Sequence, residues 1–258
     1  MTAATGPFTD WRRDSGAGQL TLRRPPLNVI NLAMLREMRG ALQAAAREPA
    51  LNVLVLRADS TLRVFSAGVD VADHTVDKVG EMIPLFDEVC AMLAEFPAPT
   101  LAVVHGPALG GGCELALCCD LIVAAEGASF GQPEIKLATL APIAALRLPG
   151  LVGYRRAAEM LFLGEVIPAT EAARLGLINR AVPGAELETT VDQYLARLRN
   201  LSGAALRLCK RAVRMGAGGA MDLPALEKLY LEELMSTEDA REGVASFLEK
   251  RPPVWKNR

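Results

Sequence analysis

The chain has 258 residues, of which 51% are hydrophobic and 22% charged, with a net charge of −2 and a pI near 5.8. This balance suits a well-cored globule of one large or two smaller domains and excludes the general basic footprint of a nucleic-acid binder. Five cysteines without a CxxC pair speak for reduced, buried thiols rather than a disulfide framework, and no metal-ligand spacing is present.

Residues 1–10 lack a basic region followed by an apolar run, so no signal peptide is expected. No apolar stretch is long enough to span a bilayer. The expected compartment is the cytoplasm.

Residues 8–13 and 19–22 read as two strands of a hairpin, with a Ser-Gly turn between them. Asn31 is placed to cap a helix running to about Arg47, with Leu35, Met38 and Leu42 on its apolar side. The run Val53-Leu54-Val55-Leu56 is apolar without alternation, as in a strand buried on both faces. Residues 60–74 read as a loop. Met82, Leu85, Phe86, Val89, Met92 and Leu93 recur with helical period, which predicts a helix over 77–96. Residues 100–104 and 120–124 are two more buried strands. Strands alternating with helices imply parallel βα units. Beyond Ala138 the pattern is mostly helical, broken at Gly216, Gly218 and Gly219. These helical stripes read as packing faces.

Between the last two strands lies His105-Gly106-Pro107-Ala108-Leu109-Gly110-Gly111-Gly112-Cys113-Glu114. Glycines let a ligand approach the main chain closely. A helix starting there offers unpaired N–H groups, which favour developing negative charge. Such donors next to an acid outline an oxyanion site. Glu134, 20 residues after Glu114 (134 − 114 = 20), follows a further short turn and can return to the same pocket. His74 and His105 read as structural, and Cys113 is not expected to be a nucleophile.

Together these residues resemble the enoyl-CoA hydratase/isomerase family, also called the crotonase family. The matching pieces are Phe65-Ser66-Ala67-Gly68-Val69-Asp70, the stretch from Gly106 to Ala116, and Phe130-Gly131-Gln132-Pro133-Glu134. The tail Phe247-Leu248-Glu249-Lys250-Arg251 fits as well. The resemblance implies a crotonase-like α/β fold: a spiral of ββα units over residues 1–195 that binds coenzyme A and carries the catalysis. It also implies a C-terminal helical oligomerisation region over 196–258, forming a homotrimer or a dimer of trimers. The implied substrate is an acyl-CoA thioester, with no cofactor, metal, nucleic acid or membrane partner.

Carried over residue by residue, the backbone N–H groups of Ala67 and Gly111 would bind the thioester oxygen. Ala67, Gly68, Val69 and Asp70, with Gly111, would line the coenzyme A site. Glu114 and Glu134 would handle one water between them, Glu114 as the base and Glu134 as the proton donor. Glu114, near a helix start, is expected to be the more readily ionised.

The chain departs from ordinary hydratases after Glu134. The glycine-rich turn is replaced by Ala141-Pro142-Ile143-Ala144-Ala145-Leu146, and the residue expected to hold the water through its N–H is Pro142, which has none. Pro142, Ile143 and Leu146 are the acyl-pocket candidates. With the segment from Gly68 to Val79, this stretch resembles the cyclohexa-1,5-diene-1-carbonyl-CoA hydratase branch. An enoyl-CoA isomerase, an acyl-CoA hydrolase and a non-catalytic or RNA-binding relative are the alternatives. Retention of both glutamates favours hydration, and low net charge weighs against RNA.

Overall fold

The computed structural model describes residues 7–217 and 222–258. Gly218, Gly219 and the first six residues of the N-terminal stretch lie outside the described residues.

The chain opens with the expected hairpin, β1 (Thr9–Asp14) and β2 (Ala17–Leu22), paired antiparallel. Its two central turn residues, Ser15 and Gly16, both have positive φ, 46° and 82°, as a two-residue hairpin loop demands. Helix α1 (Leu32–Ala46) starts where the sequence predicts. The Asn31 side chain accepts the Met34 N–H at 2.9 Å, which satisfies one otherwise orphaned donor.

Strand β3 (Val53–Ala58) pairs parallel with β2. Helix α2 (Val79–Ala94) is two residues shorter at each end than expected, and it packs on α1. Then come β4 (Thr100–Val104), β5 (Ala108–Leu109), α3 (Gly111–Leu117), β6 (Leu121–Ala125) and β7 (Ser129–Gly131). A 3-10 turn, Pro133–Leu137, precedes α4 (Pro142–Val152) and α5 (Tyr154–Leu163). The remainder is β8 (Val166–Pro168), α6 (Ala169–Arg174), β9 (Arg180–Val182), α7 (Leu187–Arg199), α8 (Gly203–Ala217), α9 (Leu223–Lys228) and α10 (Glu238–Glu249). Helix α7 runs without a break through residue 195.

Two sheets result. The larger has the order β1-β2-β3-β4-β6-β9, parallel from β2 onward. The smaller has the order β5-β7-β8. Each of β4–β5–α3 and β6–β7–α4 places one strand in each sheet and then turns into a helix. These are two successive ββα units. The short strands β5, β7, β8 and β9 were not expected, because two or three residues carry no readable alternation.

The unbroken apolar runs are explained by what lies on either side of the large sheet. Leu54, Leu56, Ala102 and Ala124 face the main core beneath α1 to α5. Val53, Val55, Leu101, Val103 and Val123 face a second core closed by Leu187 and Val191 of α7. Burying each such Val or Leu is worth about 1.5–3 kcal/mol, so both layers hold the central strands. Helix α8 is fastened by Lys210, whose Nζ lies 2.7 Å from Asp120 Oδ2. The same Asp120 oxygen accepts the Thr100 N–H and hydroxyl at 2.7 and 2.9 Å.

Candidate active site

A cleft of about 610 Å³ opens where the chain leaves β3, β5 and β7. Ligands of α/β sheets gather at the carboxyl ends of strands. The cleft is lined by Gly110, Gly111 and Glu114 from the glycine run and by Glu134 from the 3-10 turn. Residues 67–69 close it from the loop after β3.

Each glycine of the run answers to a close neighbour. A Cβ on Gly110 would stand 2.5 Å from Glu134 Oε1, and its φ is +51°. A Cβ on Gly111 would stand 2.5 Å from Val69 Cγ2 and 3.1 Å from Phe86 Cε2. A Cβ on Gly112 would stand 2.5 Å from Ser66 Cβ. The run therefore lets one helix start dock against the second carboxylate, the 65–70 loop and α2 together.

The N–H donors fall differently from the expectation. Gly111 is the first residue of α3, so its N–H has no intrahelical acceptor. Ala67, however, donates its N–H to Leu27 O at 3.0 Å, and Gly68 donates to Ser66 Oγ at 3.2 Å. The next N–H along belongs to Val69. Ile30 and Val69 form a parallel bridge in which Ile30 bonds Gly68 O at 2.9 Å and the Asp70 N–H at 2.7 Å. In that pattern the N–H of Val69 itself points away from Ile30. Among the described residues it donates to nothing. The free donor of this loop is Val69, and Ala67, which lines the cleft, has its own N–H engaged.

Both carboxylates reach the cleft. Glu114 is buried, and its Oε1 accepts the Ala144 N–H at 3.0 Å. Burial pushes its pKa up to about 7, the Ala144 bond opposes the rise, and the charge of Glu134 adds to it. Glu134 is also raised by burial, with the charge of His74 pulling the other way. Its Oε2 is buried without a hydrogen-bond partner. Burial thus favours the protonated form of Glu114, against the ready ionisation expected of a carboxyl near a helix start. Helix α3 has seven residues and all are buried, so loss of solvation outweighs the favourable helix start.

Pro142 is the first residue of α4, where a missing N–H costs nothing. The following N–H groups, of Ile143 and Ala144, serve the Glu114 carboxylate. The 3-10 turn ends at Ala138 in the left-handed region, φ 56°, a conformation usually left to glycine.

Of the three acyl-pocket candidates, Pro142 alone lines the cleft. Ile143 packs against the main core, and Leu146 is 82% exposed on the outer side of α4. Successive helix residues point in different directions, so one apolar stretch could not supply all three. The apolar wall comes instead from Met82, Ile83 and Phe86 of α2, with Leu137 and Leu140 at the rim. Asp70 is also corrected. Its side chain accepts the Ala72 N–H at 3.1 Å and pairs with Arg24 at 3.3 Å, so it builds the loop rather than the cleft surface.

His74 lines the cleft too, against the structural role expected for it. His105 keeps that role, bonding Leu62 O at 2.8 Å through Nε2. Cys113 is fully buried and its thiol is pushed up by that burial, the opposite of an activated nucleophile.

The fold and this pair of carboxylates match known proteins. The family model for enoyl-CoA hydratase/isomerase covers residues 12–258, and the chain belongs to that family. It is 38% identical to a cyclohexa-1,5-dienecarbonyl-CoA hydratase of Thauera aromatica, with 100% of both chains covered. It is 35% identical to a crotonyl-CoA hydratase of Syntrophomonas wolfei, covering 90% of this chain and 91% of the relative. The crystal structure of an enoyl-CoA hydratase from Bacillus anthracis superposes with a TM-score of 0.90 at 31% identity, covering 98% of this chain and 100% of the other. The crotonase fold read from the motifs is the fold observed.

Proposed function

We propose that this enzyme adds water to the double bond of an α,β-unsaturated acyl-CoA thioester, or removes it in reverse. The reading rests on one observation: two carboxylates, Glu114 and Glu134, face one cleft beside the unpartnered N–H groups of Val69 and Gly111. Hydration builds negative charge on the thioester oxygen as an enolate forms. Two fixed N–H donors answer that charge, and removing one such donor typically costs about 3–4 kcal/mol in the barrier.

The carboxylates divide the proton work as a coupled pair. One draws a proton from water while the other gives a proton to Cα. Burial, with the charge of Glu134 adding to it, favours the protonated form of Glu114. The Ala144 N–H fixes the Glu114 carboxylate in place for the water.

The same proposal carries the finer assignments. The relative named as a cyclohexa-1,5-dienecarbonyl-CoA hydratase and the apolar wall of Met82, Ile83 and Phe86 support a compact, ring-shaped dienoyl group, since apolar pockets select by shape. A homotrimer or dimer of trimers, an oligomerisation region over 196–258 and a cytoplasmic location follow from the family resemblance. An isomerase needs only one proton-shuttling carboxylate, and two in one cleft favour hydration over it.

A panel of linear, branched and cyclic dienoyl-CoA thioesters, followed by the change in conjugated absorbance, tests the proposal. Hydration of at least one member is expected, with the cyclic dienoyl thioester fastest. Absence of turnover across the panel overturns it.

A further inference from the structure

We infer that Phe86 is the specificity-determining residue of this cleft: its ring ends the acyl pocket against the Gly111 donor and selects a flat, compact, conjugated acyl group. The inference rests on the proposed hydration, with the thioester oxygen held by the Gly111 N–H.

Phe86 lies on α2, one turn on from Met82 and Ile83, and all three line the cleft. Yet Phe86 is only 2% exposed and is part of the main core. The next residues of the same buried stripe are Val89, Cys90 and Leu93. They too belong to the core, and none of them lines the cleft. The cleft therefore stops at Phe86, and the core begins behind it.

The outer edge of the ring touches the donor residue. A Cβ on Gly111 would stand 3.1 Å from Phe86 Cε2 and 3.2 Å from Cζ. Val69 Cγ2 crowds the same position at 2.5 Å. With the start of α3 and Val69 both in contact, the ring has no free space to swing into. It is a fixed wall next to the N–H that receives the developing charge.

This placement acts on the acyl group as follows. A thioester oxygen that accepts the Gly111 N–H lies about 2.9 Å from that nitrogen. The carbonyl carbon, Cα and Cβ follow within three bonds, so the reacting double bond is laid down beside Phe86. Flat sp² carbons pack well against an aromatic ring, and such contacts add to plain burial. A cyclic dienoyl group keeps all of its ring carbons close to the carbonyl, where this contact is available. A long alkyl chain must turn away toward the rim at Leu137 and Leu140, which are exposed to water.

The test uses the full-length enzyme with cyclic dienoyl-CoA, crotonyl-CoA and 2-octenoyl-CoA thioesters. Phe86→Leu and Phe86→Ala are compared with the parent. The ratio of kcat/KM for the cyclic dienoyl thioester to that for the octenoyl thioester should fall about tenfold in Phe86→Leu. In Phe86→Ala it should fall about 100-fold, the range that a few apolar contacts command. Phe86→Leu keeps an apolar branch at the same position, so crotonyl hydration should fall less than cyclic dienoyl hydration. Shortening a core side chain also lowers stability. A ratio of two thioesters measured on one preparation does not depend on the folded fraction, so unfolding cannot imitate a change of preference. If Phe86→Ala does not fold, Phe86→Leu carries the test. Parental ratios in the folded variants, beside a parent active on the panel, overturn the inference alone. A parent faster on the octenoyl than on the cyclic dienoyl thioester also overturns it and leaves hydration standing. A parent that hydrates no thioester overturns the proposed function and this inference together.

Discussion

Gly110 and Glu134 are in contact across the cleft: no atom larger than hydrogen fits on the Cα of Gly110 without displacing the Glu134 carboxylate, since a Cβ there would lie 2.5 Å from Oε1. The glycine that caps α3 is therefore also the seat of the second carboxylate. Gly110→Ala must shift the carboxylate and strain a backbone with φ of +51°. We expect a loss of kcat of about 100-fold or more, since small displacements of a catalytic group cost that much. Thioester affinity and the circular dichroism spectrum should change little. Steady-state kinetics with a melting curve separates this from unfolding, and parental kcat in Gly110→Ala would remove Glu134 from the chemistry.

Glu114 carries a stability cost that rises with pH. Its folded pKa of about 7 lies above the ordinary value of 4.5. Below 4.5 the carboxyl is protonated in both states and nothing is lost. Between 4.5 and 7 the unfolded chain ionises first, so stability falls as pH rises, and above 7 the cost is complete. At 1.36 kcal/mol per unit, this amounts to about 3 kcal/mol. Glu114→Gln keeps an acceptor for the Ala144 N–H and has no charge to bury. It should melt higher than the parent at pH 8, with the gap closing toward pH 4.5, while hydration falls by orders of magnitude. Equal melting temperatures at pH 8 would contradict the raised pKa.

The choice of Val69 over Ala67 as N–H donor is open to a backbone test. Replacing residue 69 by its α-hydroxy analogue turns the amide into an ester and deletes one N–H. Removal of an oxyanion donor of this kind lowers kcat by about 10²–10³. The same replacement at residue 67 breaks only the bond to Leu27 O. It should cost about 1 kcal/mol of stability and leave kcat near the parent. The opposite ranking would restore Ala67.

The ion pair between Asp120 and Lys210 should be asymmetric. Lys210 has 6% of its side chain exposed and Asp120 29%. Asp120→Ala strands a buried ammonium and frees the Thr100 groups, with an expected cost of about 3–5 kcal/mol. Lys210→Met leaves Asp120 with its two Thr100 bonds and some water, and should cost clearly less. Denaturant midpoints for the two variants decide the order.

Much of the fold was legible because its signals are local. The Asn31 cap needs one side chain and one turn of backbone. The unbroken runs at Val53 and Leu101 reveal burial on both faces before any partner is known. The motifs around Gly111, Glu114 and Glu134 brought out the family and the two carboxylates. What failed to show is what depends on direction or surroundings. A motif names the residues of the 65–70 loop but not which N–H is already bonded to Leu27. Helical period marks Met82 and Phe86 as buried, and a cleft wall has the same period as a core. The proximity of Glu134 and the burial of α3, which raise the Glu114 pKa, are long-range facts. His74 carried one usable signal, its place just after the glycine-containing loop, and a lone histidine is too common a residue for that to suffice.

The bond from Ala144 to Glu114 makes α4 a witness to events in the cleft. An ionised carboxyl accepts a hydrogen bond more strongly than a neutral one, so the first turn of that helix tightens or loosens with the charge on Glu114. The Ala144 amide, which takes no part in bond making, thereby becomes a spectator whose solvent exchange records the state of the acid. Leu146, one half-turn further on, faces outward at 82% exposure. Whatever covers that face would feel the same tightening, so a neighbouring molecule seated on α4 would share in the titration of an acid it never touches.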